Sequence, residues 1–230
     1  MRLAVVVPVF NEAAAIESTL ARLAALRARG ARVIVVDGGS TDATAVLSIA
    51  HADRVLQSER GRAQQMNAGA RAAIEDGADV LLFVHADSTL PESADRLIET
   101  SLRTSGRAWG RFDVRIDGQA PMLTVVSAMM NWRSRLTGIC TGDQGIFVTR
   151  SAFERLAGFA PIALMEDVEF SKRAKGLSWP AAISARVVTS GRRWQRYGIW
   201  RTIVLMWRFR LAYFFGADPQ RLAQRYRDAR

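Results

Sequence analysis

Residues 3–9, 32–36 and 79–84 are runs of Val, Leu, Ile and Phe almost free of polar residues, the pattern of strands buried on both faces of a parallel sheet. Between them the period lengthens. Residues 12–29 place Ala, Ile and Leu at helical spacing and stop near Gly30, and residues 41–50 begin in a Ser/Thr/Asp cluster that suits a helix start. Residues 62–75 predict a further helix, and Pro91 opens another that extends to about 103. With a short strand over 54–57, the order is β-α-β-α-β-α-β-α, which implies a parallel sheet covered by helices on both faces.

Beyond Gly106 the pattern changes. Residues 108–116 alternate as an antiparallel or edge strand does, and 121–136 reads as a helix with several Met and Trp. A strand at 145–149 precedes a helix from Ser151; 166–175 is helical and 182–189 a strand. An apolar-aromatic helix follows over 197–215, and a basic one over 219–228. The expected fold class is therefore α/β, a mostly parallel central sheet flanked by helices, with a C-terminal helical appendage. Residues 1–104 read as a nucleotide-binding half and 105–195 as an acceptor-binding half of one domain, with 196–230 as an amphipathic tail.

Polar residues gather where the strands stop. Asp37 stands in Val-Val-Asp-Gly-Gly-Ser-Thr-Asp (35–42), Asp87 in Phe-Val-His-Ala-Asp (83–87), and Glu166-Asp167 in Leu-Met-Glu-Asp-Val-Glu (164–169). The first two acids fall at the carboxyl ends of strands, the edge where open α/β sheets bind ligands. The first strand runs into Pro8, Phe10, Asn11 and Glu12: Pro8 stops the ladder, Phe10 can lie against a planar base, and Asn11 and Glu12 can bond ligand or cap the next helix. Asp37 can accept from a base or ribose beside glycines that let backbone approach a ligand; the same residues also make an ordinary turn and helix cap. A hard divalent ion carrying a diphosphate takes only one or two protein carboxylates, a role that suits Asp87, whereas His85 is more often structural. Neither a Gly-x-x-x-x-Gly-Lys phosphate loop nor a Gly-x-Gly-x-x-Gly fingerprint occurs.

Composition bounds the picture. The chain has 230 residues, 49% of them apolar, enough for one large domain or one domain with an appendage. No secretory signal is expected, because the apolar run after Arg2 ends at Pro8. Cys140 has no second cysteine to pair with, which is compatible with a reducing cytosol. The net charge of +10 asks for an anionic partner or a basic solvated face. Arginine is dense after Ser190: Arg192, Arg193, Arg196, Arg201, Arg208, Arg210, Arg221, Arg225, Arg227 and Arg230.

Taken together, Pro-Val-Phe-Asn-Glu, Val-Asp-Gly-Gly-Ser-Thr-Asp, Gly-Arg-Ala-Gln-Gln-Met-Asn-Ala-Gly (61–69), His-Ala-Asp and Met-Glu-Asp resemble the family 2 glycosyltransferases over about residues 3–195. More narrowly they are similar to a bacterial subgroup of uncertain substrate. The resemblance implies a GT-A-type fold that binds a nucleotide-sugar donor, UDP-linked on the strength of the family alone. It implies that Pro8, Phe10, Asn11 and Glu12 line the nucleoside pocket, Asp37 contacts the base, and Gly61 and Arg62 lie near the nucleotide, Arg62 at a helix N-terminus where anions are favoured. Asp87 would hold Mn²⁺ or Mg²⁺, with His85 where the family often carries a first Asp, so strict metal dependence stays open. Asp167 would act as general base on an acceptor hydroxyl, with Glu166 positioning it; the rival is an acidic first turn that complements a helix dipole. Gly142-Asp143-Gln144-Gly145 resembles an acceptor-site loop. Ser-Gly-Arg-Arg-Trp (190–194) is similar to the Gln-x-x-Arg-Trp element of processive members but lacks its Gln. Arg192 or Arg193 would neutralise the leaving diphosphate, and Trp194 would stack on sugar or acceptor. The implied reaction is an inverting displacement at the anomeric carbon.

The tail leaves two readings. Arg201, Arg208 and Arg210 interrupt the aromatic run, so a membrane span is not expected. The segment is either an amphipathic helix on an anionic membrane surface, which makes the protein cytoplasmic and peripheral on the inner membrane face with a lipid-linked acceptor, or a helix packed on the acceptor half with snorkelling arginines. Two other functional classes stay open: a nucleotidyltransferase of similar sheet architecture, and a non-catalytic basic module for lipid or nucleic acid. Acids at the strand ends argue against the last, and no nucleic-acid partner is expected.

Overall fold

A computed structural model describes residues 1–228, except the side chains of 227 and 228. Two of the tail arginines, the Arg227 side chain and all of Arg230, lie outside the described residues.

The strands are β1 (Leu3–Val9), β2 (Arg32–Asp37), β3 (Arg54–Gln57), β4 (Val80–Phe83), β5 (Ser88–Thr89), β6 (Trp109–Ile116), β7 (Ile146–Thr149) and β8 (Ala181–Thr189). The helices are α1 (Ile16–Ala21), α2 (Ala24–Ala28), α3 (Thr44–Ile49), α4 (Arg62–Glu75), α5 (Ala94–Ser105), α6 (Pro121–Thr137), α7 (Arg150–Arg155), α8 (Glu166–Ala174), α9 (Arg192–Tyr197), α10 (Ile199–Phe214) and α11 (Pro219–Asp228).

The strands form one sheet in the order β3-β2-β1-β4-β7-β6-β8-β5. Pairings β3–β2, β2–β1, β1–β4 and β6–β8 are parallel, and those of β7 with β4 and β6, and of β5 with β8, are antiparallel. Because β7 is antiparallel to both its neighbours, β6 and β8 run in the direction of β1–β4. Their carboxyl ends therefore reach the same edge, with Val9 beside Asp37 and Ile116 beside Thr189.

Alternation explains why the central runs are apolar throughout. Val5, Val7, Val33, Val35 and Leu82 point into one core with Ile16, Leu20, Leu23 and Leu26. Ala4, Val6, Ile34, Val36, Leu81 and Phe83 point into the other with Met66, Ala70, Phe153, Phe159 and Phe170. Each fully buried Val, Leu or Ile contributes about 1.5–3 kcal/mol. Gly69 sets how closely α4 approaches the sheet: a Cβ there would lie 2.4 Å from Val6 Cγ1 and 2.9 Å from Val36 Cγ2.

Three expectations change. The helix over 12–29 is broken and starts late, because Asn11 has φ 53° and the N–H groups of Glu12 and Ala13 donate to Thr44 Oγ1 and Asp42 instead of entering a helix. The alternating strand β6 is an interior strand, antiparallel to β7 but parallel to β8. Its polar residues serve an ion-pair network that reaches from core to surface: Arg111 is fully buried and pairs with Asp113, which also takes the exposed Arg135 of α6 at 2.8 Å. The helix expected over 197–215 is α10, which starts after Gly198 at φ 82°, ψ 142°, and a short helix not expected there, α9, precedes it. One side of α10 packs through Phe209 against Met165 and Leu222, while Trp200, Trp207 and Phe214 on another side stay exposed.

Candidate active site

Topology brings the loops after β1, β2, β4, β6 and β8, and the turn before β7, to one edge of the sheet. Asn11 joins two of them, as its Oδ1 accepts from Thr41 N–H at 2.9 Å and its own N–H donates to Ser40 Oγ at 2.8 Å. Asn11 and Met165, the N-cap of α8 at φ 70°, are non-glycine residues in left-handed conformation beside the candidate site. Such backbone costs about 1–3 kcal/mol and gathers where geometry serves function.

A cavity of about 620 Å³ opens between this edge and helices α6, α9 and α10, within the range of small-ligand sites. Asn11, Glu12 and Asp87 line one side. Arg192, Arg193 and Trp194 line the cavity too, joined by Arg196 and Arg210. Arg192 Nη2 lies 3.8 Å from Glu12 Oε2, and its Nε donates to Ser190 Oγ at 3.2 Å. Gly191 lets the chain after β8 pass close to the loop after β6, because a Cβ there would fall 1.9 Å from the Asp117 carbonyl oxygen. Burial, then the Asp87 charge, raises the Glu12 pKa against the pull of Arg192.

Behind the cavity lies a charged cluster built on the turn Gly142–Gln144. His85 Nδ1 meets Asp143 Oδ1 at 3.1 Å. Desolvation works to raise the Asp143 pKa, but the His85 hydrogen bond and charge, with Arg62 and Arg193, outweigh it and hold the group at about 2. Asp167 Oδ2 accepts from Gly142 N–H at 2.8 Å, and its Oδ1 accepts from Val168 N–H at 2.7 Å. Arg62 is exposed at the start of α4; desolvation of its guanidinium works to lower the pKa, yet the charges of Glu166 and Asp143 prevail and raise it. Glu166 is only 5% exposed, and burial followed by the charge of Asp167 raises its pKa above the ordinary 4.5.

That shift has a testable sign. A carboxyl with a raised folded-state pKa favours the fold most at low pH and loses that contribution as pH climbs through the raised value. Glu166→Gln keeps the neutral shape, so we expect it to raise Tm at neutral pH and flatten the decline of Tm above about pH 4.5. Glu12 titrates in both proteins, so the difference between their pH–Tm curves reads Glu166 together with the charges it faces, Asp167 and Arg62.

Of the residues expected at the site, Asn11, Glu12, Asp87, Arg192, Arg193 and Trp194 meet at the cavity. Pro8 lies within β1, and Gly61 precedes α4. Phe10 has the Arg60 guanidinium 3.9 Å from its ring centroid. Asp37 is 1% exposed and accepts from Gly39 N–H, Ser40 N–H and the Ser40 hydroxyl, so it braces its own loop. Gln144 is fully buried, accepts from Thr141 N–H and donates to Ser134 Oγ at 3.1 Å. Glu166 and Asp167 border a second, small pocket of about 10 Å³ with His85 and Gly142 and are not among the residues that line the large cavity. Asp143, expected as part of an acceptor-site loop, lines the cavity, and so do Arg196 and Arg210, which were not singled out for it. Gly198, as a helix breaker, was the available signal that α9 turns inward.

The residues suit a divalent ion with few protein ligands. Asp87 offers a carboxylate in the cavity, and its repulsion of Glu12 is the kind a cation relieves. His85 spends Nδ1 on Asp143, and its Nε2 packs against Gly142, where a Cβ would come within 2.4 Å. Among the described residues no group of three or more His, Cys, Asp or Glu gathers to hold an ion, so the donor's phosphates would have to complete the shell.

Comparison with known proteins bears on the family and the fold. Residues 4–151 match the family model described as glycosyl transferase family 2. Over 107 residues the chain is 38% identical to the succinoglycan biosynthesis protein ExoA of Rhizobium meliloti, a match that takes in 44% of this chain and 32% of that protein. The mannosyltransferase PcManGT of Pyrobaculum calidifontis, solved with GDP-Man and Mn²⁺, superposes with a TM-score of 0.61 at 22% identity over 81% of this chain and 56% of that one. S. aureus TarS 1–349, solved with UDP-GlcNAc, gives a TM-score of 0.66 at 18% identity over 83% of this chain and 58% of that one. The fold is thus of the GT-A type expected. With the family model covering well over half of its length, the chain belongs to glycosyl transferase family 2.

Proposed function

We propose that the protein transfers a sugar, with inversion, from a UDP-sugar to an acceptor hydroxyl. The observation that carries this is the meeting of Asn11, Glu12 and Asp87 with Arg192, Arg193 and Trp194 around one cavity at the strand ends of a family 2 chain. Residues 1–104 take the donor, 105–195 the acceptor, and 196–230 form an amphipathic tail. We take the acceptor to be lipid-linked and the protein to work on the cytoplasmic face of the inner membrane.

In this reading the acceptor oxygen attacks the anomeric carbon as Asp167 takes its proton. The bond from that carbon to the diphosphate oxygen breaks, and its electron pair leaves with the nucleoside diphosphate. Arg192 and Arg193 hold the charge that grows there. Asp167, partly exposed at the start of α8, is tied to the Gly142–Gln144 turn through the Gly142 N–H, and Asp143 of that turn reaches the cavity. Mn²⁺ or Mg²⁺, held by Asp87 and the donor phosphates, would supply Lewis-acid stabilisation of the same charge. Both PcManGT with GDP-Man and the Mycobacterium tuberculosis glucosyl-3-phosphoglycerate synthase with UDP were solved with Mn²⁺.

Calorimetric titration with UDP, GDP and ADP in the presence of Mn²⁺ tests the donor site. UDP should bind on the order of tenfold more tightly than ADP, the value of a hydrogen-bonded base edge. Equal affinity for all three, or none, would remove the pocket assignment. Release of pyrophosphate in place of a nucleoside diphosphate during turnover would favour a nucleotidyltransferase.

A further inference from the structure

Two helices flank the cavity, and both leave an apolar stripe in solvent. On α6 the exposed residues are Val125, Met129, Trp132 and Leu136; on α10 they are Trp200, Val204, Trp207 and Leu211. Both sets follow i, i+4, i+7, i+11, so each lies on one helical face. Trp132, Trp200 and Trp207 are 64%, 68% and 67% exposed. Apolar exposure on this scale marks an interaction surface.

The stripes adjoin the site. Val126 and Met130 of α6, and Ile203 and Met206 of α10, face the cavity from positions next to the exposed ones. Trp207 belongs to both sets, lining the cavity while standing in the open. Phe214 and Phe215 extend the α10 stripe at 72% and 77% exposure.

Charge selects the occupant. No Asp or Glu occurs in residues 118–142 or 170–217. Exposed Arg201 and Arg208 border the α10 stripe on the side away from the cavity, and Arg210 borders it on the cavity side. A second copy docked here would set arginine against arginine over an acid-free face. A bilayer with anionic headgroups satisfies both parts of the surface, taking tryptophan and aliphatic side chains at the headgroup boundary and arginines among the phosphates. Among the described residues no helix is long and apolar enough to cross a membrane, so contact is with the surface.

We propose that α6 and α10 together form a two-helix platform that seats the protein on an anionic bilayer, with the cavity mouth between them turned to the lipid. For what enters that mouth the proposal rests on the lipid-linked acceptor of the preceding reading. Docking itself does not depend on transfer.

Vesicle flotation with the full chain tests it. Wild-type protein should float with phosphatidylcholine–phosphatidylglycerol vesicles at low salt, less as salt rises, and poorly with phosphatidylcholine alone. Met129→Ser with Trp132→Ser, on α6 and outside the cavity lining, should lower the partition coefficient at least about tenfold, as should Trp200→Ser with Leu211→Ser on α10. Arg201→Gln with Arg208→Gln should lower it roughly fivefold per charge. All three pairs should keep the circular dichroism spectrum and UDP affinity of the wild type. Wild type that stays unbound at low salt would overturn the platform, as would equal flotation with neutral vesicles. An α6 pair that floats like wild type would overturn the two-helix geometry. Sedimentation showing a dimer that the α6 pair abolishes would assign the face to self-association instead. Absence of UDP binding together with intact, stripe-dependent flotation would sink the donor assignment and leave docking standing.

Discussion

Asp167→Asn should lower kcat by about 10²–10⁴-fold, the usual cost of removing a positioned general base, while the Kd for the UDP-sugar stays near that of the wild type. Both carboxylate oxygens of Asp167 accept backbone N–H groups, from Gly142 and Val168. The amide of asparagine can keep one of these bonds but turns a donor toward the other. Some loss of stability should therefore accompany the loss of rate, and thermal unfolding of the variant measures it. Donor affinity separates the chemical role from a structural one, because Asp167 does not line the cavity where Asn11, Glu12 and Asp87 meet the arginines. Near-full kcat in the variant would exclude Asp167 as the base. Attention would then pass to Asp143, the carboxylate of the same turn that does reach the cavity.

Asp87→Ala should act on binding and turnover together, weakening Mn²⁺-dependent UDP-sugar affinity on the order of 10²-fold, as loss of a metal-holding carboxylate does. The comparison that matters is titration with and without the ion. A variant that loses affinity only in the presence of Mn²⁺ has lost an ion ligand, whereas equal loss in both conditions means a direct contact with the donor. A second readout needs no donor at all. Asp87 is one of the charges that raise the Glu12 pKa, so its removal should bring the Glu12 titration down toward the ordinary carboxylate range. Unchanged donor affinity with Mn²⁺ present would exclude Asp87 from the metal site.

Much of the fold could be read before the structure, because the relevant signals are local. The both-faces-buried runs at β1, β2 and β4 need only Val, Leu and Ile in unbroken order, and α4 came out with its expected ends. Elements read less well where a distant partner decides. β6 alternates as an antiparallel or edge strand does, and it is antiparallel to β7 but interior, with Arg111 and Asp113 polar because they pair with each other and with Arg135 of α6. The start of the first helix depends on Asp42 and Thr44, which capture the N–H groups of residues 13 and 12 from another loop.

At the candidate site the same division holds. The order of apolar runs and the acids that end them were enough to place Asp37, Asp87 and the residues after β1 at one sheet edge, since parallel strands joined by helices must deliver their carboxyl ends together. Which of those side chains faces a ligand was decided only by tertiary structure. Asp37 folds back onto Ser40 and is buried, Gln144 is held by Ser134, and Asp167 accepts from the Gly142 N–H of the Gly142–Gln144 turn. The outer wall of the cavity comes from α9 and α10, more than a hundred residues from Asn11 and Glu12 in the chain. Periodicity reports how one segment meets an average core. The direction a loop carboxylate takes is a competition among hydrogen-bond donors from several segments, and that competition exists only once the chain has brought them together.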